Sequence, residues 1–285
     1  MSFAPMLFVL LWSTGFVGAK YGLPYADPFI FLALRVLVAS ILLYGFALLT
    51  KAPIKLGKSD RQLSAIVGTT LHFAYLGGVF YGISRGVPAG IAATITSLQP
   101  ILVSIIGVKV LGEKITFKQV IGLLSGFTGV AIVLSPAFTD TSNMTALGIS
   151  AVFVSLVGST TATLVQKKSG GSTPLLSGTA FQYLVASTLF FFAALVTKGF
   201  HIEWTGKFIL AFSWLILALS VGAVLVLLTL LKHGSASKVS SLFYLVPPAT
   251  AIEAYFLFNE RLSSLDFVGI ALTALGVFLV IKSNI

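Results

Sequence analysis

Ten long apolar stretches, separated by short runs that carry Gly, Pro and charged residues, divide the chain. A helix needs roughly 20 apolar residues to cross the hydrocarbon core of a bilayer. Stretches of that length predict membrane-spanning helices near residues 4–20, 28–50, 62–84, 88–110, 117–135, 146–166, 174–197, 207–231, 236–258 and 264–282. The pattern therefore predicts an all-α membrane protein with ten transmembrane helices.

The composition supports lipid as the main solvent of the chain. Hydrophobic residues make up 57% of it, charged residues 9%, and the mean hydropathy is +1.03. Because about a quarter of the residues in a soluble protein are charged, this chain could not cover a surface that faces water. A net charge of +10 would suggest nucleic acid as the partner of a soluble protein. Here the basic residues lie in short connections between apolar stretches, so we expect no nucleic-acid partner.

The distribution of Lys and Arg predicts the orientation. One set of alternate connections carries twelve of them and the other set five. The connections rich in Lys and Arg normally face the cytoplasm. We therefore expect both termini in the cytoplasm, which requires an even number of spans, and an external connection at Ser135–Thr145, where the sequence has neither Lys nor Arg.

The second half of the sequence repeats motifs of the first half at a constant offset of 147 positions. The repeated features are Leu37–Ser40 with Leu184–Ser187, Pro100 with Pro247, Glu113-Lys114 with Glu260-Arg261, Gly122 with Gly269, and Gly129 with Gly276. The repeats divide the chain into units 1–138 and 139–285, each of five spans. Since five is odd, the two units must be inserted with opposite orientation. This is the inverted-repeat plan of many secondary transporters, which surrounds a central substrate cavity.

Short motifs in both halves are similar to the EamA-type ten-helix family of the drug/metabolite transporter superfamily. They are Leu11–Gly15, Phe31–Arg35, Leu98-Gln99-Pro100, Leu111–Lys114 with Gly122, Gly126 and Gly129, Val246-Pro247-Pro248, and Phe258–Arg261 with Gly269 and Gly276. The resemblance implies a basket of helices around a cavity, with the fifth and tenth helices outside it. It also implies export of small metabolites, often amino acids or toxic cations, across a bacterial inner membrane. His72 and Tyr75 resemble the branch that exports aromatic amino acids, whereas Ser159 stands where the second half would match Trp12.

Few polar side chains lie deep in the spans, and each is a candidate for function because polar groups are costly in hydrocarbon. His72 and Tyr75 share one helix face, and Trp12 with Ser13 lies mid-span, so we expect these four to bind substrate. Glu253 could bind a cation or a coupling proton, or it could bond a neighbouring helix. Arg35 could attract a carboxylate, but its counterpart Gln182 is also polar, which favours a structural role for both.

Prolines inside the fourth and ninth spans predict kinks or hinges. A proline in a helix interior removes one backbone hydrogen bond and leaves a carbonyl free. Pro100, Pro247 and Pro248 occupy such positions, and the neighbouring Gln99 and Tyr244 are expected to face the cavity.

The sequence carries none of the H-E-x-x-H, P-loop or G-x-S-x-G motifs, and its three histidines lack the spacing of a metal site. We therefore expect no enzyme activity, metal or cofactor, and transport that is secondary or facilitative. The expected partners are a small-molecule substrate and membrane lipid, with the chain acting as a monomer. Two alternatives stay open: a nucleotide-sugar or organic-cation carrier on the same scaffold, and a non-transport protein such as a scramblase.

The predicted orientation can be tested with single cysteines, because the chain contains none. Ser142→Cys should react with a membrane-impermeant maleimide added to right-side-out vesicles. Ser59→Cys should react only after the membrane is permeabilised, since its connection is rich in Lys and Arg. Labelling of Ser59→Cys from outside while Ser142→Cys is protected would contradict the predicted orientation.

Overall fold

The computed structural model describes residues 3–87, 92, 95–135, 145–169, 173–258 and 264–282, and this part of the chain is helical. Its helices are α1 Ala4–Gly22, α2 Pro28–Leu49, α3 Lys58–Ser84, α4 Gln99–Val110, α5 Phe117–Leu134, α6 Ala146–Lys168, α7 Leu175–Thr197, α8 Gly206–His233, α9 at 236–258 and α10 Ser264–Lys282. Six of these, α1, α2, α3, α6, α7 and α8, are long and apolar enough to cross a bilayer. The chain is therefore a multi-pass membrane protein. The helices begin and end within a few residues of the predicted spans except for the fourth, whose predicted span is 88–110: α4 begins at Gln99, and residues 88–91 and 93–94 lie outside the described part of the chain.

Threonine side chains fix the starts of three helices. Thr116 accepts a hydrogen bond from the backbone N–H of Gln119, whose side chain in turn accepts from the N–H of Thr116, which makes a capping box at the start of α5. Thr145 and Thr205 cap α6 and α8 in the same manner through one bond each. These caps satisfy backbone N–H groups that lack a partner within the helix.

Hydrogen bonds between connections divide the bundle into two ends. At one end the connection after α1 pairs with the connection after α7, where Asp27 N donates to His201 O at 3.0 Å and Glu203 N to Tyr25 O at 2.7 Å. At the other end Thr173 donates to Asp60 at 3.1 Å. We call this second end, formed by the connections at residues 50–57, 169, 173–174 and 234–235, the basic end. These connections and the helix ends next to them carry Lys51, Lys55, Lys58, Lys167, Lys168, Lys232 and Lys238.

Helices α2 and α7 run antiparallel and are joined by two reciprocal hydrogen bonds. Ser40 Oγ donates to the carbonyl of Ala180 at 2.7 Å, and Ser187 Oγ donates to the carbonyl of Ala33 at 3.0 Å. Ser187 lies 147 positions after Ser40, and Ala180 lies 147 positions after Ala33. The same pair of contacts is therefore made twice, with the two halves exchanging roles.

Helices α5 and α10 pack chiefly against each other, outside the other helices, and are also antiparallel. Ser125 Oγ donates to the carbonyl of Leu272 at 3.2 Å, again to a residue 147 positions later. A Cβ on Gly122 would lie 2.7 Å from the carbonyl oxygen of Gly276. Small residues thus let the two backbones touch, as they do in many membrane helix pairs.

Irregular backbone also recurs at the same offset. The π-helical segment Gly68–Leu76 in α3 corresponds to the π-helical segment Leu215–Ala223 in α8. Lys51 and Lys198, which follow α2 and α7, have left-handed backbone angles, with φ of 54° and 53°. The π-helical segments thus recur at the repeat offset although their sequences do not match, and the left-handed lysines recur at the same offset.

The prolines lie at helix starts rather than in uninterrupted helix interiors. A turn at residues 97–98 precedes the α-helical segment from Gln99, and a 3-10 segment Leu242–Leu245 precedes the one from Val246. Pro100 and the pair Pro247-Pro248 therefore fall in a first helical turn, where proline removes no intrahelical bond. Instead of the expected kinks at proline, the α-helical backbone is interrupted just before Gln99, at the start of α4, and just before Val246, within α9.

The close contact between α3 and α6 depends on a glycine. A Cβ on Gly78 would lie 2.2 Å from the carbonyl oxygen of Ala151, whereas a Cβ on Gly45 would meet nothing within 4 Å. Gly78→Ala should force the helices apart and lower the thermal midpoint of the purified protein, at a cost of about 1–3 kcal/mol. Gly45→Ala is the matched control and should leave the midpoint unchanged or raise it slightly. Equal midpoints for the two variants would contradict this packing.

Candidate functional site

A central cavity lies where helices of the two halves meet. It is narrow in this structure, with room of about 30 Å³ for water-sized molecules. Helices α1, α2 and α3 of the first half and α7 and α8 of the second half line it with Trp12, Gly15, Phe16, Arg35, Leu71, His72, Tyr75, Leu76, Val79, Phe80, Tyr183, Leu219 and Val224. Most of this lining is aromatic or aliphatic, and among the described residues Arg35 is its only permanently charged side chain.

The π-helical segments supply much of this lining. Leu71, His72, Tyr75 and Leu76 all belong to the segment in α3, and Leu219 belongs to the segment in α8. A π turn holds an extra residue and is often found at functional sites. Gly68 begins the α3 segment against α7, where a Cβ would lie 2.5 Å from the carbonyl oxygen of Gln182. The widened turns therefore bring additional side chains to the cavity while α3 and α7 stay in close contact.

An aromatic wall closes one side of the cavity. Trp12 Nε1 donates to Tyr75 Oη at 3.1 Å, and the two rings are stacked with centroids 6.2 Å apart. Phe8 and Phe243 also pack against the Trp12 ring, with centroid distances of 5.1 and 5.3 Å. Because Tyr75 accepts from the indole, its hydroxyl hydrogen stays available for a molecule in the cavity.

A buried polar group forms the opposite wall. Arg35 is 2% exposed, and its Nε donates to Ser220 Oγ at 3.0 Å. The Tyr183 hydroxyl donates to the carbonyl of Ser220, so α2, α7 and α8 meet at this serine. The Arg35 guanidinium also lies 5.8 Å from the centre of the Phe80 ring. Arg35 is therefore held in place on two sides while it borders the cavity.

His72 and Gln182 separate the central cavity from a second one. His72 Nε2 and Gln182 Oε1 are 3.2 Å apart, and the His72 ring packs on Tyr183 with centroids 4.4 Å apart. Gln182 lines a second, wider cavity of about 260 Å³ at the basic end of the bundle, which we call the vestibule. Lys232 and His233 also line it. The contact between His72 and Gln182 thus lies between the vestibule and the central cavity.

The structure brings together only some of the side chains that the sequence suggested. Trp12, His72, Tyr75 and Arg35 line one cavity, and Gln182 lies one hydrogen bond away. This placement is consistent with the prediction that Trp12, His72 and Tyr75 face a cavity. Their role in binding substrate stays a prediction.

Ser13 and Glu253 instead join α1 to α9. The Ser13 hydroxyl is hydrogen-bonded to the Glu253 carboxyl group, and Thr250 Oγ1 donates to the Ser13 carbonyl at 3.3 Å. Neither Ser13 nor Glu253 lines the central cavity. Their contacts correspond to the second possibility raised by the sequence, a bond between neighbouring helices.

Gln99 and Tyr244 also lie away from the central cavity. Gln99 Nε2 donates to Ser159 O at 3.2 Å and to Thr163 Oγ1 at 2.9 Å, which fastens α4 to α6. The Tyr244 ring packs on Gly126 of α5, where a Cβ would lie 2.6 Å from a ring carbon. Both side chains are used in helix packing here, so their expected contact with substrate has no support from this arrangement.

Tyr183, Ser220 and Phe80 are parts of the site that the sequence reasoning missed. Tyr183 directly follows Gln182 in the middle of a span, and a buried tyrosine usually has a hydrogen-bond partner. That property could have marked it as a candidate. No comparable signal marks Ser220 or Phe80, because Ser and Phe are common in membrane helices for reasons unrelated to binding.

Sequence comparison relates the whole chain to transporters. The profile of the EamA-like transporter family matches residues 2–135 and 146–282. The chain belongs to the EamA-like transporter family. This family member is 28% identical to an uncharacterized transporter, YvbV, of Bacillus subtilis, over 95% of this chain and 88% of that protein. It is 25% identical to a probable amino-acid metabolite efflux pump of Escherichia coli, over 96% and 92% of the two chains.

A solved structure has the same fold. A protein crystal structure superposes on this transporter with a TM-score of 0.79 and 18% identity, over 98% of this chain and 95% of the other. The arrangement of helices described above is therefore found in an experimentally determined protein.

The aromatic wall predicts a distinct fluorescence for Trp12. Trp12 is 6% exposed, against 58% for Trp204 and 49% for Trp214. In a variant with Trp204→Phe and Trp214→Phe, emission should be shielded from acrylamide. Adding Tyr75→Phe removes the acceptor of the indole N–H and should shift the emission to shorter wavelength. Tyr44→Phe, at an exposed position on α2, is the control and should cause no shift; a shift of equal size there would contradict the Trp12–Tyr75 bond.

Proposed function

We propose that this transporter exports small amphipathic metabolites, most of all amino acids or related compounds, by alternating access. The single observation that carries the proposal is the cavity at the junction of the two halves. It offers stacking surfaces from Trp12 and Tyr75 and hydrogen-bonding groups from His72, Tyr75 and Arg35. Such a combination of a mostly apolar lining with a few polar groups is typical of small-molecule sites.

The names of relatives support export and an amino-acid type of cargo. Proteins of Escherichia coli and Salmonella typhimurium named as probable amino-acid metabolite efflux pumps are 25% and 23% identical to this chain. At this level of identity the cargo of a relative is only a guide. The aromatic wall favours cargo with a flat or apolar body.

The proposed mechanism depends on two inverted repeats, units 1–138 and 139–285. Support comes from the antiparallel pairs α2/α7 and α5/α10, whose contacts are reciprocal at the repeat offset. Similar units that pack in opposite orientation can exchange conformations at little cost in free energy. One exchange would turn a cavity that opens to one side into a cavity that opens to the other.

The vestibule supports a role for His72 and Gln182 as the inner closure of the cavity. Cargo that enters at the basic end would meet their hydrogen bond before it reaches Trp12 and Tyr75. The helix breaks before Gln99 and Val246 lie at equivalent positions of the two units and are suited to act as hinges. Pro100, Pro247 and Pro248 would then stiffen the segments that move.

The proposed setting is the inner membrane of a bacterium, with both termini in the cytoplasm. The vestibule at the basic end would then face the cytoplasm, as uptake of cargo for export requires. The small-molecule cargo and membrane lipid are the only partners this function needs, and a single chain contains both halves of the cavity.

The lining argues against carriers of nucleotide sugars. A phosphate-rich cargo needs several basic groups, and Arg35 is the only Lys or Arg in the central lining. A carrier of organic cations would need an acidic group there, and the described lining contains none.

Transport by purified protein tests the proposal. Proteoliposomes should exchange labelled phenylalanine by counterflow, and His72→Ala or Tyr75→Ala should lower the rate about fivefold, since loss of an aromatic contact costs about 1 kcal/mol. Tyr44→Ala, on an exposed part of α2, is the matched control and should leave the rate unchanged. Absence of counterflow for a panel of neutral amino acids would contradict the proposed cargo.

A further inference from the structure

We propose that Arg35 binds the carboxylate of the cargo, so that this transporter selects monocarboxylates with an aromatic or apolar body whether or not they carry an amino group. The inference rests on the proposed function and deepens it. It assigns Arg35 to substrate recognition, in place of the structural role that the sequence favoured.

The first support is the electrostatic position of Arg35. Its side chain is 2% exposed, and in the described part of the chain no carboxylate lies within ion-pairing distance of it. Burial of an unpaired charge is costly, and the cost falls when an opposite charge reaches it. A cargo carboxylate in the cavity would supply that charge at the moment of binding.

The second support is the set of donors that Arg35 leaves unused. A guanidinium carries five N–H donors in a fixed plane. Nε donates to Ser220, while the buried Nη1 has no hydrogen-bond partner. The bond to Ser220 fixes the plane of the guanidinium, and Nη1 is left free on a side chain that lines the cavity. This arrangement suits a carboxylate, which accepts two parallel bonds from arginine.

The third support is the comparison between the two halves. Gln182 is the counterpart of Arg35 in the repeat and bonds His72 of α3, just as Arg35 bonds Ser220 of α8. A neutral amide therefore suffices for the link between helices at this position. The positive charge of Arg35 is not required by packing and needs another explanation.

The remaining lining defines the rest of the cargo. Trp12, Tyr75 and Phe80 offer faces for an aromatic or apolar body, and no Asp or Glu borders the cavity among the described residues. An ammonium group would therefore find no anionic partner there. Amino acids and simple aromatic carboxylates should bind comparably, whereas amines that lack a carboxylate should bind weakly.

Four probes with the same phenyl ring test this selectivity. Phenylalanine and 3-phenylpropanoate carry a carboxylate, whereas phenethylamine and phenylalaninamide do not. Binding is measured by calorimetry on the full chain in lipid nanodiscs. The two carboxylates should bind about 10- to 100-fold more tightly than the other two, the usual range for charge-assisted hydrogen bonds. Equal binding of all four probes, or tighter binding of the amines, would overturn the inference and leave the proposed export intact.

Variants assign the selectivity to Arg35. Arg35→Gln should abolish the preference for carboxylates, and Arg35→Lys should retain part of it. Ser220→Ala removes the bond that fixes the guanidinium plane but keeps the charge, so it should weaken the preference without abolishing it. Tyr44→Ala, on an exposed part of α2, is the control and should leave the preference unchanged. A preference that persists in Arg35→Gln would refute the assignment. If Arg35→Gln does not fold, the four-probe ratio in the unmodified protein and in Ser220→Ala still decides the outcome. Failure of all four probes to bind, together with absent counterflow, would refute the proposed function as well.

Discussion

Two hydroxyl-to-carbonyl hydrogen bonds between α2 and α7 set the geometry around the central cavity. Ser40 and Ser187 each reach the backbone of the opposite helix, and Arg35 and Gln182 lie on the stretches between these bonds and their acceptors. From these stretches Arg35 reaches Ser220 of α8 and Gln182 reaches His72 of α3. In a bilayer the bonds have no water to compete with them, although such bonds between membrane helices are usually of modest strength.

The sequence predicts the helices well because membrane spans depend on one property, apolar length. It also predicts that Trp12, His72 and Tyr75 come together, since a short list of polar or amphipathic residues in mid-span leaves few choices. It does not predict the π-helical segments, because a π turn depends on how the helix packs against its neighbours. Nor does it show that Gln99 bonds Thr163 of α6 rather than substrate, since an amide can serve either purpose.

The two halves keep their shared backbone but differ in the chemistry of their side chains. Trp12 corresponds to Ser159, His72 to Leu219 and Glu253 to Ile106. The Trp12–Tyr75 hydrogen bond and the Ser13–Glu253 contact between α1 and α9 thus have no equivalent at the repeat offset. The common framework includes paired π segments and paired helix breaks, which suits a movement made by both halves. In the proposed function, recognition of cargo would depend on the residues that differ.

The reciprocal contact of α2 with α7 has the form of an isologous interface, in which one patch packs against an inverted copy of itself. Two separate and identical chains joined in this way would carry arginine at both positions 35 and 182. Two buried guanidiniums would then lie on this one pair of helices, and like charges repel each other more strongly in a medium of low dielectric constant. Because both stretches lie in one polypeptide, each can change alone, and Arg35 has a neutral counterpart in Gln182. Under the proposed function, this difference would allow a ligand charged at one end only to be held between two helices that make equivalent contacts.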